Sequence, residues 1–486
     1  MLPYRLRLKR IPPNFHLAIV LLLGSCDAQK ADPVPASPPA APGRPGPDPR
    51  AGSPGAPGAA GKRSFVADSK LPNLLLITVC SFRSDHIGAY GYSRATTPNL
   101  DAMALESAVF EGAWSNATHT GASHAALFSG LIPGHAGILD IGEPLRPDVM
   151  TLPEVMSRYG YRSSGFIDVE SNFGAEAAGG MARGFDELQF VPLAQVGRAV
   201  QRWVARDRRP WLAWVHIRLA HLPYGAGPPF TTKIEPEVAS WLAAVRAPMI
   251  DGSHDGVNDA FAGAMAANPV LRENLLALYD SGVHDADAQI GVVLDAVADR
   301  RATTIQVVLA DHGDALGERG HFGHQDVVQP EVLRVPLVVR APGIAPIRVP
   351  DTVSLVDVMP TLLELIGAVP PAGIDGRSLA AALRGGALPV KPVLAQAVIR
   401  AGKANTVRLL EVLVRPPWWL TVDDGDTTLL QLDPARGLVA PPSTDAALFS
   451  ELEAARAAAS AGSEFREVRP KLSMELKKAL QKQGYW

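Results

Sequence analysis

The sequence predicts an α/β fold, with a mostly parallel sheet flanked by helices and a smaller C-terminal α+β subdomain. From residue 71 onward, apolar runs of strand length alternate with amphipathic stretches of helix length. The runs are nearly continuous in apolar residues, which is typical of strands buried on both faces of a parallel sheet. At 486 residues, 47% of them hydrophobic, the chain can form one large domain and a smaller one.

The same alternation gives the order of the elements. The predicted strands are Leu74–Val79, Arg162–Ile167, Trp211–Ile217, Ile305–Ala310 and Val335–Arg340, and the predicted helices are Asn99–Ser107, Ser123–Phe128, Leu152–Tyr159, Leu193–Ala205, Leu271–Val297 and Val356–Ile366. Residues 225–270 have no clear periodicity and contain Gly, Pro and Asp, which predicts an insertion, with a lid over the site as one interpretation. In such a sheet the active site lies at the carboxyl ends of the strands.

Residues 1–26 predict export and lipidation. A basic start is followed by the apolar stretch Phe15–Leu23 and by a Leu-Gly-Ser string that ends at Cys26. This arrangement resembles the lipobox of a bacterial signal peptide, in which Cys26 would be lipidated. The alternative is an ordinary signal peptide with an incidental cysteine. A lipid anchor would place the protein in the cell envelope, on the periplasmic face of a bacterial membrane.

The remaining chain divides into three predicted parts. Residues 27–64 are rich in Pro, Ala and Gly and predict a disordered linker, because they cannot bury enough apolar surface to fold. Residues 65–385 form the predicted main domain and residues 386–486 the C-terminal subdomain. The net charge of −3 provides no basic surface for nucleic acid. An anionic ligand would therefore have to be bound by local groups.

Polar side chains end two of the predicted strands. Cys80 follows the first strand, and Asp311 and His312 follow the strand Ile305–Ala310. A carboxylate and an imidazole side by side at a strand end suit a divalent metal ion. The alternatives are a surface loop at Asp311 and, at Cys80, a small buried residue that packs like a hydrophobic one.

Thr120 begins a Thr-Gly-Ala-Ser-His string that precedes a predicted helix. A hydroxyl at a helix N-terminus has amide donors and the positive end of the dipole beside it, which favours an anionic ester. It becomes a nucleophile once a metal or a base lowers its pKa. Because Thr and Ser are also common N-cap residues, the alternative is a helix cap without chemistry.

Histidines follow the strand Trp211–Ile217. His221 lies in a His-Leu-Pro-Tyr string, where it could act as a general acid or stabilise the transferred group, or could be structural. His216, within the strand, predicts a core histidine whose hydrogen bonds are satisfied.

Together these strings resemble the sulfatase-like branch of the alkaline phosphatase superfamily over residues 71–486. The resemblance implies a metal-binding Asp at the end of the first strand, where this chain has Cys80. Typical sulfatases convert a Cys or Ser to formylglycine, and here that position is Thr120, so formylglycine cannot form. A bacterial subset has Thr and Ser-His at these positions, as do Thr120 and His124 here. In the phosphoethanolamine and lipoteichoic-acid branches the Thr is a nucleophile and a metal ligand.

The resemblance implies one divalent metal ion and a set of site residues. The predicted metal ligands are Cys80, Thr120, Asp311 and His312, the predicted catalytic residues are Thr120, His124, His221 and His324, and the predicted substrate-binding residues are Arg83 and His321. Thiolate, imidazole and carboxylate ligands favour zinc or manganese over calcium.

Three functions stay open. The first is an envelope-anchored hydrolase of sulfate or phosphate esters, with a small-molecule, glycan or lipid ester as substrate. The second is a catalytically degenerate lipoprotein that binds an anionic glycan or a partner, which the missing acid at Cys80 favours. The third is a phosphoryl-type group transferase. The retention of Thr120, Asp311 and His312 favours an enzyme.

Overall fold

The computed structural model describes most of the chain from residue 71 to residue 463. The described ranges are 71–140, 143–168, 183–222, 224–225, 227–246, 255–324, 327–401, 406–433, 437–442 and 445–463. The predicted signal peptide, the lipidation site Cys26 and the predicted linker lie outside these residues. No helix within the described ranges is long and apolar enough to cross a membrane.

An eight-stranded sheet forms the centre of the main domain. Its strands are β1 (Asn73–Val79), β2 (Ala108–Trp114), β3 (Arg162–Asp168), β4 (Glu187–Val191), β5 (Trp211–Ile217), β6 (Thr304–Ala310), β9 (Leu337–Arg340) and β10 (Ile347–Ser354), while β7 (Ala315–Leu316) and β8 (Phe322–Gly323) pair separately. The spatial order is β10-β2-β9-β6-β1-β5-β3-β4. Of the described strands in this sheet, only β9 runs antiparallel to its neighbours. The predicted mostly parallel sheet is confirmed.

Helices surround this sheet and connect its strands. They are Pro98–Ala104, Thr120–Ser129, Pro133–Ala136, Leu152–Ser157, Val196–Val204, Pro236–Arg246, Asp255–Ala267, Pro269–Asp295, Pro330–Leu333, Val358–Leu365 and Ala380–Leu383. Each predicted helix is present, with ends that differ by a few residues. The helix Thr120–Ser129, called the Thr120 helix below, is buried along its whole length.

The described residues of the region 225–270 include two helices that the sequence analysis did not predict, Pro236–Arg246 and Asp255–Ala267. Their many Ala and Gly residues give little contrast between the two faces, so a periodic pattern is hard to detect. Trp241 and Phe261 nevertheless stack, with ring centroids 4.7 Å apart and planes at 11°, and are buried.

The strands β2, β4 and β10 were absent from the sequence prediction. Strands β4 and β10 form the two edges of the sheet, and β2 lies next to β10. Their sequences include charged or polar residues, and β10 also contains Pro350, which is tolerated at an edge. The prediction therefore found the strands that are buried on both faces and missed those near the edges.

The C-terminal subdomain is an antiparallel sheet with one described helix. Its strands are β11 (Val393–Ala401), β12 (Thr406–Arg415), β13 (Trp418–Asp423), β14 (Asp426–Asp433) and β15 (Gly437–Val439), followed by the helix Ala446–Ala459. Leu394, Leu413 and Leu420 of this sheet form one buried cluster with Ala126 of the Thr120 helix. The subdomain therefore supports the outer side of that helix, and the predicted α+β architecture is confirmed.

Asn116 joins the two parts of the fold by hydrogen bonds. Its Nδ2 donates to the carbonyl of Leu394 (2.8 Å), its Oδ1 accepts from the backbone N–H of Val356 (3.2 Å), and its own carbonyl accepts from the N–H of Gln396 (2.9 Å). Asn116 is only 1% exposed. Removing its amide would leave buried backbone groups without partners.

We expect Asn116→Ala to lower the free energy of unfolding by about 2–4 kcal/mol, since two buried backbone groups lose their partners. Urea unfolding of the purified protein measures this loss. Asn274→Ala is the matched control, because Asn274 also makes two hydrogen bonds to backbone groups, at Glu235 and Lys233, but is partly exposed. A loss for Asn116→Ala no larger than that for Asn274→Ala would contradict the bridging role.

Candidate active site

Three adjacent strands end at the same level and define the site. In the ladder, Val79 of β1 lies opposite Ala310 of β6 and Ile217 of β5. The residues that follow these positions are Cys80, Asp311 and Arg218. The carboxyl edge of the sheet thus brings together Cys80 and Asp311, as the sequence predicted, and adds Arg218, which it did not.

A strained turn fixes the chain directly after Cys80. Ser81 has φ of 58°, in the left-handed region that costs a non-glycine residue about 1–3 kcal/mol. The hydroxyl of Tyr279 donates to the carbonyl of Ser81 (2.6 Å) and accepts from the N–H of Arg83 (2.9 Å). Tyr279 therefore holds this turn from the long helix Pro269–Asp295. Nothing near it in the sequence indicated that role.

Thr120 is the first residue of its helix and is not the N-cap. The cap is His119, whose Nδ1 accepts from the N–H of Ala122 at 3.5 Å. The hydroxyl of Thr120 is 3.5 Å from Cys80 Sγ and 3.4 Å from His312 Nε2. Thr120 is therefore not the N-cap residue that the alternative interpretation supposed.

Asp311 and His312 present their side chains to the same point. Asp311 Oδ1 accepts the N–H of His312 (2.8 Å), while Oδ2 makes no hydrogen bond within the described residues and lies 3.7 Å from His312 Nε2. His312 Nδ1 donates to the carbonyl of Gly313 (2.8 Å), which leaves the lone pair on Nε2. Burial raises the pKa of Asp311 and lowers the pKa of His312 to about 3.

The donor atoms fit a metal ion. Cys80 Sγ, Thr120 Oγ1 and His312 Nε2 are 3.4–3.8 Å apart in pairs. Ligand atoms around tetrahedral zinc are about 3.3–3.8 Å apart, given its usual bond lengths of about 2.0–2.3 Å. The buried Oδ2 of Asp311, which makes no hydrogen bond within the described residues, is a further donor for a cation. The spacing and the chemistry of these four residues therefore suit a divalent ion.

His221 and His324 form a pair beside His312. Their Nε2 atoms are 3.1 Å apart, while Nδ1 of His221 donates to the carbonyl of Leu222 and Nδ1 of His324 donates to that of Thr118. The Nε2 contact is a hydrogen bond only when one ring carries a second proton. Burial lowers the pKa of both imidazoles, and Arg218 lowers the pKa of His221 further. An anion bound beside the two rings would stabilise the protonated form that burial and Arg218 disfavour.

His124 lies under the site and is fully buried. Its Nδ1 donates to the carbonyl of Thr120 (2.9 Å), and its Nε2 is 3.1 Å from Thr78 Oγ1. Nδ1 is also 3.9 Å from Asp311 Oδ2. Burial lowers the pKa of His124. His124 therefore contacts Thr120 and lies close to Asp311, two of the predicted metal ligands.

The two predicted substrate-binding residues have different surroundings. Arg83 is buried, and its guanidinium bonds the carboxylates of Asp85 (2.8 Å) and Glu318 (2.8 Å) and the carbonyl of Asp314 (3.0 Å). The carboxylates of Asp85 and Glu318 therefore neutralise the positive charge of Arg83 within the protein. His321 is exposed on the loop between β7 and β8.

The sequence analysis also missed Tyr224, a residue of the site that makes a hydrogen bond to Asp314. Tyr224 donates its hydroxyl to Asp314 Oδ2 (2.6 Å), and burial raises the pKa of Asp314 to about 7. Asp314 stands in the Asp-His-Gly-Asp string, and Arg218 follows a buried strand as Cys80 does. The positions of Asp314 and Arg218 after buried strands could have identified them as site residues, because polar residues at strand ends meet at the sheet edge.

Comparison with known proteins identifies related sequences. The model of the sulfatase family matches residues 72–368. Arylsulfatase K of Mus musculus is 23% identical over 64% of this chain and 64% of its own length, and delta 4,5-hexuronate-2-O-sulfatase of Bacteroides thetaiotaomicron is 25% identical over 65% and 72%. The matched region spans less than two thirds of the arylsulfatase K chains.

Solved structures share the fold. The phosphonate monoester hydrolase of Agrobacterium radiobacter superposes with a TM-score of 0.63 at 20% identity, covering 80% of this chain and 96% of that one. A 2-O GAG sulfatase gives the same TM-score and identity, covering 79% and 90%. The family model covers more than half of the chain, and the recognised resemblance is confirmed. The chain belongs to the sulfatase family.

Proposed function

We propose that the protein is a metal-dependent hydrolase of sulfate or phosphate esters with Thr120 as its nucleophile. The observation that supports this most directly is the convergence of Thr120 Oγ1 with Cys80 Sγ and His312 Nε2 at 3.4–3.8 Å. A site that had lost its function would have no reason to keep these donors together in a buried place. The names of the hexuronate sulfatase and the 2-O GAG sulfatase favour a sulfated glycan as substrate.

Cys80, Thr120, Asp311 and His312 would hold one zinc or manganese ion. When bound, the ion supplies a Lewis acid that lowers the pKa of the Thr120 hydroxyl, so that Thr120 reacts as the alkoxide. The backbone N–H groups at the start of the Thr120 helix favour the anionic group of the ester. His124 acts as a positioning residue, because it donates to the carbonyl of Thr120 from beneath.

The chain's residues provide a two-step displacement. Thr120 Oγ1 forms a bond to sulfur or phosphorus, the ester bond to the leaving oxygen breaks, and the proton of the His221–His324 pair passes to that oxygen. Water then attacks the Thr120 ester. One water proton returns to the histidine pair, Thr120 leaves as the alkoxide, and sulfate or phosphate is released.

We expect Thr120→Val to reduce turnover of aryl sulfate, phosphate and phosphonate probes by at least about 10³-fold, because the variant lacks the nucleophile. Thr120→Ser keeps the hydroxyl and should stay within about tenfold of the wild type. Turnover of this panel and of sulfated disaccharides, with metal content measured alongside, is the assay. Wild-type turnover in Thr120→Val would contradict the role of Thr120.

We expect close to one zinc or manganese ion per chain after incubation with metal and removal of free ions. Asp311→Ala should lose the ion, because the carboxylate is one of its anionic ligands. Mass spectrometry of metal content measures this, and exposed Asp148→Ala is the control that keeps the ion. No bound metal in the wild type would overturn the hydrolase and leave the binding lipoprotein.

We also propose that a lipid at Cys26 anchors the protein in the bacterial envelope. The string before Cys26 supports it. In cells given an alkyne fatty acid, the wild type should be labelled and membrane-bound, and Cys26→Ser should be neither. Cys80→Ser, which changes the other cysteine of the chain, should keep the label. An unlabelled wild type would contradict the anchor.

A further inference from the structure

We infer that His216 is an additional ligand of the metal ion, so that two imidazoles hold the ion together with the thiolate, the carboxylate and the Thr120 hydroxyl. A ring nitrogen of His216, Cys80 Sγ and a carboxylate oxygen of Asp311 lie within 4.8 Å of one another, and all three residues are buried. The inference rests on the proposed metal site and assigns it a residue that the sequence predicted as a core histidine.

The sheet register explains why His216 reaches the site. His216 of β5 lies opposite Thr78 of β1, and Cys80 comes two residues after Thr78. Because side chains alternate along a strand, Thr78 and Cys80 point to the same face. His124 of the Thr120 helix covers that face, with its ring centroid 5.0 Å from that of His216. His216 therefore lies beside Cys80, under the same helix.

A hydrogen-bond network around Thr78 sets the tautomer of His216. Trp214 Nε1 donates to Thr78 Oγ1 (3.0 Å). Because His124 Nδ1 donates to the carbonyl of Thr120, its Nε2 in the neutral ring accepts from the Thr78 hydroxyl. That hydroxyl has one proton, so His216 Nδ1, at 3.0 Å, must be the donor to Thr78 Oγ1.

The lone pair of His216 is therefore on Nε2, which is the nitrogen that would bind the ion. Metal-binding histidines usually donate their other ring nitrogen to an oxygen, which orients the ring, and Thr78 supplies that oxygen here. The imidazoles of His124 and His216 are both neutral, because a second positive charge without a counterion is costly to bury.

The donor set is that of a zinc site. A thiolate and a carboxylate balance the charge of a divalent ion, and neutral imidazoles complete the coordination. A purely structural His216 would account for its hydrogen bond to Thr78. The proposed site already explains the buried thiol and carboxylate, and a ring nitrogen of His216 within 4.8 Å of both gives the ion a further nitrogen donor. The exchange of an oxygen ligand for Cys80 is thus accompanied by a nitrogen ligand from the neighbouring strand.

X-ray absorption of the zinc-loaded protein tests this by counting imidazole ligands. We expect two imidazoles in the wild type, from His216 and His312, and one in His216→Asn. The Asn amide can still donate to Thr78, so this variant removes mainly Nε2. Its dissociation constant for zinc, measured by chelator competition, should rise more than the roughly 10- to 100-fold typical of an outer contact.

Two further variants serve as controls. Thr78→Val removes the orienting hydroxyl and should weaken zinc binding by about 10- to 100-fold while the imidazole count stays at two. His135→Asn changes a histidine that pairs with Asp375 and should alter neither quantity. Circular dichroism verifies that each variant folds.

One imidazole in the wild type would overturn the inference, whether or not His216→Asn folds. An unchanged zinc affinity in folded His216→Asn would do the same. In both cases a bound zinc and an inactive Thr120→Val would leave the proposed hydrolase standing. A zinc bound through two imidazoles with full activity in Thr120→Val would instead support the ligand and overturn the nucleophile.

Discussion

The site depends on the common level at which β6, β1 and β5 end. Their parallel register places Ala310, Val79 and Ile217 in one row, so that the next residue of each strand enters the same space. The backbone hydrogen bonds of the ladder fix these positions independently of the side-chain rotamers. A shift of one residue in the β1–β6 pairing would turn Cys80 and Asp311 to opposite faces, and the same shift in the β1–β5 pairing would turn His216 away from Cys80. The hydrophobic core that holds the register is therefore also what brings together the proposed metal ligands.

The second requirement is that many polar side chains be buried at acceptable cost. Each imidazole at the site donates one ring nitrogen to a backbone carbonyl or to a hydroxyl. His312 uses Gly313, His324 uses Thr118, and His124 uses Thr120. For His312 and His324 these bonds satisfy one nitrogen and leave the other facing the site, whereas the second nitrogen of His124 lies 3.1 Å from the Thr78 hydroxyl. Burial favours the neutral form of the rings, which is the form that can bind a metal ion, and an anion bound beside His221 and His324 would allow that pair to hold a proton.

Cys80 changes the chemistry of the proposed ligand atoms more than it changes where those atoms lie. Sulfur is larger and softer than a carboxylate oxygen, and a thiolate binds through one atom. The hydroxyl of Thr120 and the imidazole of His312 lie 3.5 and 3.8 Å from that sulfur, which is the spacing expected between ligands of one metal ion. Membership of the sulfatase family accounts for the scaffold, while the proposed roles of Cys80 as a metal ligand and Thr120 as a nucleophile would set this chain apart from the formylglycine enzymes.

The sequence by itself determined the fold class, the buried central strands, and the residues at their ends, because continuous apolar runs and polar strand ends are local signals. It could not determine the edge strands or the small-residue helices of 225–270, where the patterns are weak. It also could not assign Tyr279, Arg218, Tyr224 or Thr78. Tyr279 holds the turn at Ser81 from 198 residues away, and Thr78 orients His216 from a neighbouring strand. Such contacts exist only once packing brings distant segments together, and so the tertiary structure alone decided which histidines face the site.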